Sequence, residues 1–224
     1  MSAKLSILLP EIVLFVWTCV VMVIGLSPAS WLRRQLAGIT AVGLVVALGF
    51  AAASPEGPEQ GVVGPFPYLL GYGKGLICVI GLMLLMLAGG TVDRAYERAI
   101  HEGNARFDPL RSSRGEFYAF FLFSLTGAML CVSANDLIWL FLALELTSLP
   151  TYVMVTMSTR GTRSQESGVK YFFLGALGAA IFLYGFALLY GGTGSTLLVG
   201  NGSEPGIAEV IAEQVRTRGG INPI

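Results

Sequence analysis

Six apolar runs set the limits on what this chain can become. They cover residues 7–26, 36–53, 75–90, 117–133, 137–157 and 169–190. A helix that crosses the hydrocarbon core of a bilayer needs about 20 residues, within a range of about 17–25. The third run is short for this, so its helix is expected to start earlier, near Leu69, or to tilt little. Hydrophobic residues make up 54% of the chain and charged residues 12%, and the mean hydropathy is +0.71. A soluble domain carries about 25% charged residues. Half that number cannot cover a globule in water, so a soluble enzyme is excluded. The expected fold class is all-α, a polytopic membrane protein with about six transmembrane helices.

Basic residues orient such a bundle. The loops after the first, third and fifth helices hold Arg33, Arg34, Arg94, Arg98, Arg106, Arg111, Arg114, Arg160 and Arg163, nine in all. The amino terminus and the other loops hold Lys4, Lys74, Arg216 and Arg218. The pattern predicts an amino terminus outside, on the periplasmic side of a cell inner membrane, with the arginine loops in the cytoplasm. Lys4 before an apolar stretch also suits a signal peptide, but Glu11 inside the stretch and Arg33 and Arg34 after it favour a retained span.

The connections are uneven. Between the fourth and fifth runs lies only Ala134-Asn135-Asp136, a tight turn that makes those helices antiparallel neighbours, with Asn135 or Asp136 as the cap. Residues 54–67 are rich in Pro and Gly and read as an external loop. Residues 91–114 mix five arginines with four acids. The spacing of Asp93, Arg94, Glu97 and Arg98 suggests a short surface helix there, either plain solvated loop or a docking surface for another subunit. The tail from Gly191 is polar, with one short amphipathic helix over 207–215. It stops at Ile221-Asn222-Pro223-Ile224, which reads as the entrance to another helix, so the sequence looks cut.

Net charge is zero, which gives no bulk attraction for nucleic acid. Cys19, Cys78 and Cys131 lie singly in apolar runs, and the only histidine, His101, lies in a polar stretch. No disulfide framework, metal site or haem site is implied.

Charges inside apolar runs carry the most information, because each costs about 2.5–3.5 kcal/mol at a helix centre. Glu145 is the main case. Nine residues separate it from Asp136, about 13 Å along a helix and close to mid-bilayer. It must be neutral, paired or wetted by an internal cavity, and a carboxyl poised between these states can take up and release protons. The competing reading is a protonated glutamate that only hydrogen-bonds a neighbouring helix. Pro150 frees the carbonyl of Leu146 and should kink or loosen the helix. Ser148 shares a face with Glu145, and Tyr152 lies seven residues on. Together they suit a short water path. Lys170, with Ser164 as the cap of its helix, lies about 9 Å inside the arginine-rich end. It is placed either to reach Glu145 through one or two waters or to snorkel to the headgroups. Glu11 and Glu116 lie near helix ends and read as anchors or caps. The stretch from Gly175 to Ala180 reads as close helix packing.

Glu116-Phe117-Tyr118, Ser133-Ala134-Asn135-Asp136-Leu137, Leu144-Glu145-Leu146-Thr147-Ser148-Leu149-Pro150-Thr151-Tyr152-Val153, Lys170-Tyr171-Phe172-Phe173-Leu174-Gly175-Ala176 and Leu188-Leu189-Tyr190-Gly191, in this order, resemble the antiporter-like membrane subunits of respiratory complex I, the bacterial proton-pumping NADH:quinone oxidoreductase. The resemblance is detailed over about residues 116–196. It implies a fold of about fourteen helices with two inverted five-helix repeats. Residues 1–115 would be three leading helices and a cytoplasmic loop, 116–191 the first three helices of a proton-translocating repeat, and 192–224 an external tail. It also implies that Glu145 is the glutamate essential for proton translocation and that Lys170 is the lysine of the sixth helix. No redox cofactor is expected in this chain. NADH and quinone would be bound by other subunits, and the partners would be the other membrane-arm subunits and the lipid bilayer. The family's seventh-helix lysine has no counterpart before residue 224. Two alternatives remain open at this stage: a subunit of a multisubunit sodium/proton antiporter, and a truncated chain with a structural or assembly role.

Overall fold

The computed structural model describes residues 7–53, 69–88, 92, 94–104, 113–158, 161–200 and 202–218. In chain order the helices are α1 (Leu9–Gly25), α2 (Ser30–Arg34), α3 (Leu36–Ala52), α4 (Leu69–Ala88), α5 (Arg94–His101), α6 (Arg114–Val132), α7 (Leu137–Met157), α8 (Thr162–Thr193) and α9 (Ile207–Arg218). The six apolar runs correspond to α1, α3, α4, α6, α7 and α8. Four of these are long and apolar enough to cross a membrane, and α1 and α3 are apolar helices of 17 residues, about 26 Å each. The chain is thus an all-helical, multi-pass membrane protein. The helix of the third run is described from Leu69 onward.

Local chemistry sets the helix ends. Pro10 sits in the first turn of α1, where its missing N–H has no partner to lose. Asp136 caps α7 by accepting from the backbone N–H of Ile138 and Trp139. α8 ends at Gly194, whose φ of 71° is a left-handed value that glycine adopts without strain. Its start differs from the sequence reading. Gly161 is the cap, and Ser164 is buried within the first turn, donating to the carbonyls of Val155 and Thr156 at the end of α7. His101 closes α5 instead of lying in a loop. Lys4, Arg106, Arg111, Arg160, the 54–67 segment and residues 219–224 lie outside the described residues.

The core lies between α1, α3, α4 and α6, around Leu14, Leu44, Cys78, Tyr118 and Leu122. In lipid, helix association draws on packing rather than on apolar burial, so small residues matter at crossings. Gly25 of α1 and Gly115 of α6 meet backbone to backbone. Gly43 of α3 leaves room for Trp17, whose indole N–H donates to the carbonyl of Ile39. Buried Thr18, Thr40 and Thr126 each donate to the carbonyl four residues back, which satisfies hydroxyls that no water could reach. The Gly175–Ala180 stretch behaves differently from expectation. Gly175 packs against Tyr152, but Gly178 has open space around it. Cys19, Cys78 and Cys131 are free thiols.

The up-and-down order places the α6–α7 turn, the starts of α1 and α4 and the end of α8 at one end of the bundle. The tail folds over that end. Residues Thr196–Val199 run beside Asn135–Leu137, with Leu137 N–H donating to the Thr196 carbonyl and Leu198 N–H to the Asn135 carbonyl, both at 2.9 Å. The Asn135 side chain completes the pairing through both the N–H and the carbonyl of Val199.

Candidate functional site

α7 carries Glu145, and its neighbours explain how a polar stretch survives there. Gly127 of α6 lies against the α7 backbone: a Cβ on it would meet Thr147 N at 2.5 Å and Leu146 C at 2.7 Å. This close approach brings Ser124 of α6 within reach, and its hydroxyl donates to the Thr147 carbonyl at 2.9 Å. Thr151 donates to the Ser148 carbonyl at 2.6 Å. Both carbonyls lie in the turn before Pro150, where the proline disturbs the backbone ladder. Hydroxyls answering backbone acceptors is the pattern that keeps proline-containing helices viable in lipid. The helix remains continuous through Pro150, which is itself buried. Ser124 and Thr151 were not singled out from sequence. A hydroxyl that serves a neighbouring helix has no signature in its own segment.

Glu145 is half-buried. Its carboxylate makes no hydrogen bond or ion pair with any other described residue. Ser148 donates to the Leu144 carbonyl of its own helix at 2.9 Å. Tyr152 turns to α8: its ring meets Tyr171 edge-on at 4.7 Å and Phe172 at 5.8 Å, and its hydroxyl end lies on Gly175. Thr151 Oγ1 and Tyr171 Oη lie 3.4 Å apart, a weak contact. Lys170 pairs with Glu166 one turn earlier in α8, at 2.5 Å, with both side chains exposed (74% and 63%). Of these residues Tyr152 packs on α8, Ser148 bonds within its own helix and Pro150 is buried; no ion pair joins Glu145 to Lys170 among the described residues. The apolar stretch of α8 has no buried residue. It touches α7 on one side and presents Phe173, Leu174, Leu177 and Ile181 outward.

At the start of α7, burial pushes the Asp136 carboxyl up. Its hydrogen bonds from the Thr196 hydroxyl and from the N–H of Trp139 and Ile138 outweigh that and hold it below the usual carboxylate range.

A second charged group was misread from sequence. Lys74, counted above as a loop residue, lies five residues inside α4 and is fully buried. Glu11, read as an anchor or cap, is 3% exposed. The two meet at 2.7 Å. Lys74 also donates to the Ile7 carbonyl at 2.7 Å, and Ser133 donates to Glu11 Oε1 at 2.8 Å. Each charge lies close to a helix end in sequence, which suggests snorkelling. Only the packing of α1 and α4 on the shared α6 shows that the two ends converge.

Comparison with known proteins agrees with this architecture. Residues 134–203, from the α6–α7 turn through α8 into the tail, match the family described as NADH:quinone oxidoreductase/Mrp antiporter, TM. The fold and the charged α7 therefore define a class: antiporter-like, multi-pass membrane proteins. Subunit N 2 of NADH-quinone oxidoreductase from Koribacter versatilis is 36% identical over 191 residues, covering 84% of this chain and 37% of that protein. Subunit N from Myxococcus xanthus is 35% identical over 199 residues, covering 85% and 35%. A chain of respiratory complex I from Thermus thermophilus, solved with bound aureothin, superposes with a TM-score of 0.59 at 28% identity, over 92% of this chain and 42% of that one. The chain belongs to the family of antiporter-like membrane subunits of NADH:quinone oxidoreductase. It spans little more than a third of the length of the curated relatives it matches.

Proposed function

We propose that this chain is part of a proton-translocating membrane-arm subunit of NADH:quinone oxidoreductase, with Glu145 as a proton-exchanging group. The observation that carries the reading is a glutamate held half-buried at mid-helix, without a fixed partner, beside a proline whose neighbouring carbonyls are served by hydroxyls. An acid deep in hydrocarbon is expensive and is a functional group by default. With no cation beside it among the described residues, its charge state can follow its surroundings. Lys170 is assigned the role of a charge that modulates the path from the arginine-rich end, and Pro150, Ser148 and Tyr152 the role of shaping it. Redox chemistry, NADH and quinone are assigned to other subunits, and no cofactor to this chain.

The partners are the neighbouring membrane-arm subunits, and the location is the cell inner membrane. With Lys74 inside α4, the basic residues of the amino terminus and tail reduce to Lys4, Arg216 and Arg218, against nine for the opposite loops. This supports an amino terminus on the periplasmic side. The named relatives, all NADH-quinone oxidoreductase subunits N, favour this reading over a sodium/proton antiporter. The test is Glu145→Gln in the full-length subunit assembled in its complex, read as protons translocated per NADH oxidised. The ratio is expected to fall, and an unchanged ratio removes Glu145 from the path.

A further inference from the structure

The Glu11–Lys74 pair lies outside the helices that carry Glu145, and it is built more tightly than anchoring requires. Glu11 Oε1 accepts from Lys74 Nζ at 2.7 Å and from Ser133 Oγ at 2.8 Å. Lys74 spends a second donor on the Ile7 carbonyl. The other carboxylate oxygen, Oε2, is buried and has no hydrogen-bond partner among the described residues. A buried ion pair repays its desolvation only when its remaining lone pairs are also satisfied. Here one oxygen of the carboxylate is left over. The group also lies toward one end of the bundle. Glu11 is two residues and Lys74 five residues past the starts of their helices, roughly 3 and 8 Å along the axes.

We propose that Glu11 is a second proton-binding site of this protein, in which Oε2 takes up a proton while Oε1 stays fixed between Lys74 and Ser133. From the ionised pair, a proton from water forms an O–H bond at Oε2 and the net charge of the pair rises from zero to plus one; release returns the proton to water. No other group needs to change. The other ionisable groups on α4 are Tyr72, which is exposed, and Cys78, one turn from Lys74. α3 carries no ionisable side chain. On α6, Arg114, Glu116 and Tyr118 lie toward the opposite end of the bundle, and Cys131 precedes Ser133 by two residues. Ser133 begins the turn that leads to Asp136, the cap of α7. Ser133 thus links Glu11 to the turn from which the helix of Glu145 starts. The site's existence does not depend on the role assigned to Glu145.

The test is infrared difference spectroscopy of the full-length protein in lipid nanodiscs as pH is lowered. A neutral-carboxyl C=O band that grows on acidification is expected in the wild type and in Glu145→Gln. It should be missing in Glu11→Gln and in the double variant Glu11→Gln/Lys74→Met, which removes both charges together and strands neither. In Ser133→Ala the band should persist at a shifted frequency, because Oε1 loses a donor. If every acid-induced carboxyl band survives in the double variant, Glu11 is a permanently ionised clamp and the proposal is overturned. Loss of the band in Glu145→Gln but not in the double variant overturns it equally.

Discussion

The two glutamate–lysine sets of this chain occupy opposite situations. Glu11 and Lys74 are buried and joined across two helices, in a core closed by α1, α3, α4 and α6. Glu145 and Lys170 lie on α7 and α8, unjoined; the lysine is exposed and, among the described residues, pairs with Glu166 of its own helix. The first region has most of its polar contacts made internally; one oxygen of Glu11 and the Nε of Arg114 are among the atoms left over. The second keeps a charge without a fixed partner and a helix with a bare apolar face. The difference teaches that a charge in an apolar helix has two physical fates. A charge joined to a partner holds helices together and can take up a proton only at an atom the partner leaves free, as at Glu11 Oε2. A charge left without one can change its protonation with no helix contact at stake.

The largest effect that can break this contrast is at Lys74. Lys74→Met strands the Glu11 carboxylate and is expected to cost about 3–5 kcal/mol of stability, whereas Glu11→Gln/Lys74→Met should melt at or near the wild-type temperature. Thermal melting of the full-length protein in mild detergent measures both; equal melting of the single variant and the wild type would show that the pair is not the lock it is taken for. Next comes the seam between the regions. Gly127→Val drives a side chain into the backbone at Leu146 and Thr147 and should cost about 1–3 kcal/mol in the same assay, while Gly178→Ala, with open space around it, should be tolerated.

Asp136 lies where the regions join. Asp136→Ala removes the α7 cap and should cost about 1 kcal/mol. Because the carboxyl is held below its ordinary value, it adds stability above the unfolded-state pKa, and that contribution is lost as pH falls through the folded-state pKa. Asp136→Asn should flatten that acid-side loss in melting curves taken across the carboxylate range. The smallest effect is at Lys170. Its exposed pair with Glu166 is worth at most about 1 kcal/mol, so Lys170→Met should leave the melting temperature nearly unchanged, and any loss of proton translocation in that variant is then functional.

Much of the spanning pattern was legible from hydropathy alone, because each run is apolar on most faces and has few places to stop. The α7 boundaries and the Asp136 cap follow from a three-residue link with one strong capping residue. Short-range reasoning was weaker where two distant segments meet. Nothing near Lys74 in the sequence announces Glu11, 63 residues away. Ser164 looks like a cap and is instead drawn under the end of α7. Ser124, which serves the carbonyl of Thr147, is an ordinary serine in its own helix. Glu145 stood out because its position is costly wherever its helix packs, while the groups that make the position tolerable depend on tertiary approach at Gly127.

The most direct test lies at position 145 itself, in the assembled complex, by comparing aspartate with glutamine through proton translocation at equal rates of NADH oxidation. A proton-exchanging carboxyl should leave measurable translocation in Glu145→Asp and lose it by a large factor in Glu145→Gln, up to roughly 10²-fold. Equal translocation in the two variants would mean that the side chain serves only by its shape and hydrogen bonding, and that the path runs elsewhere.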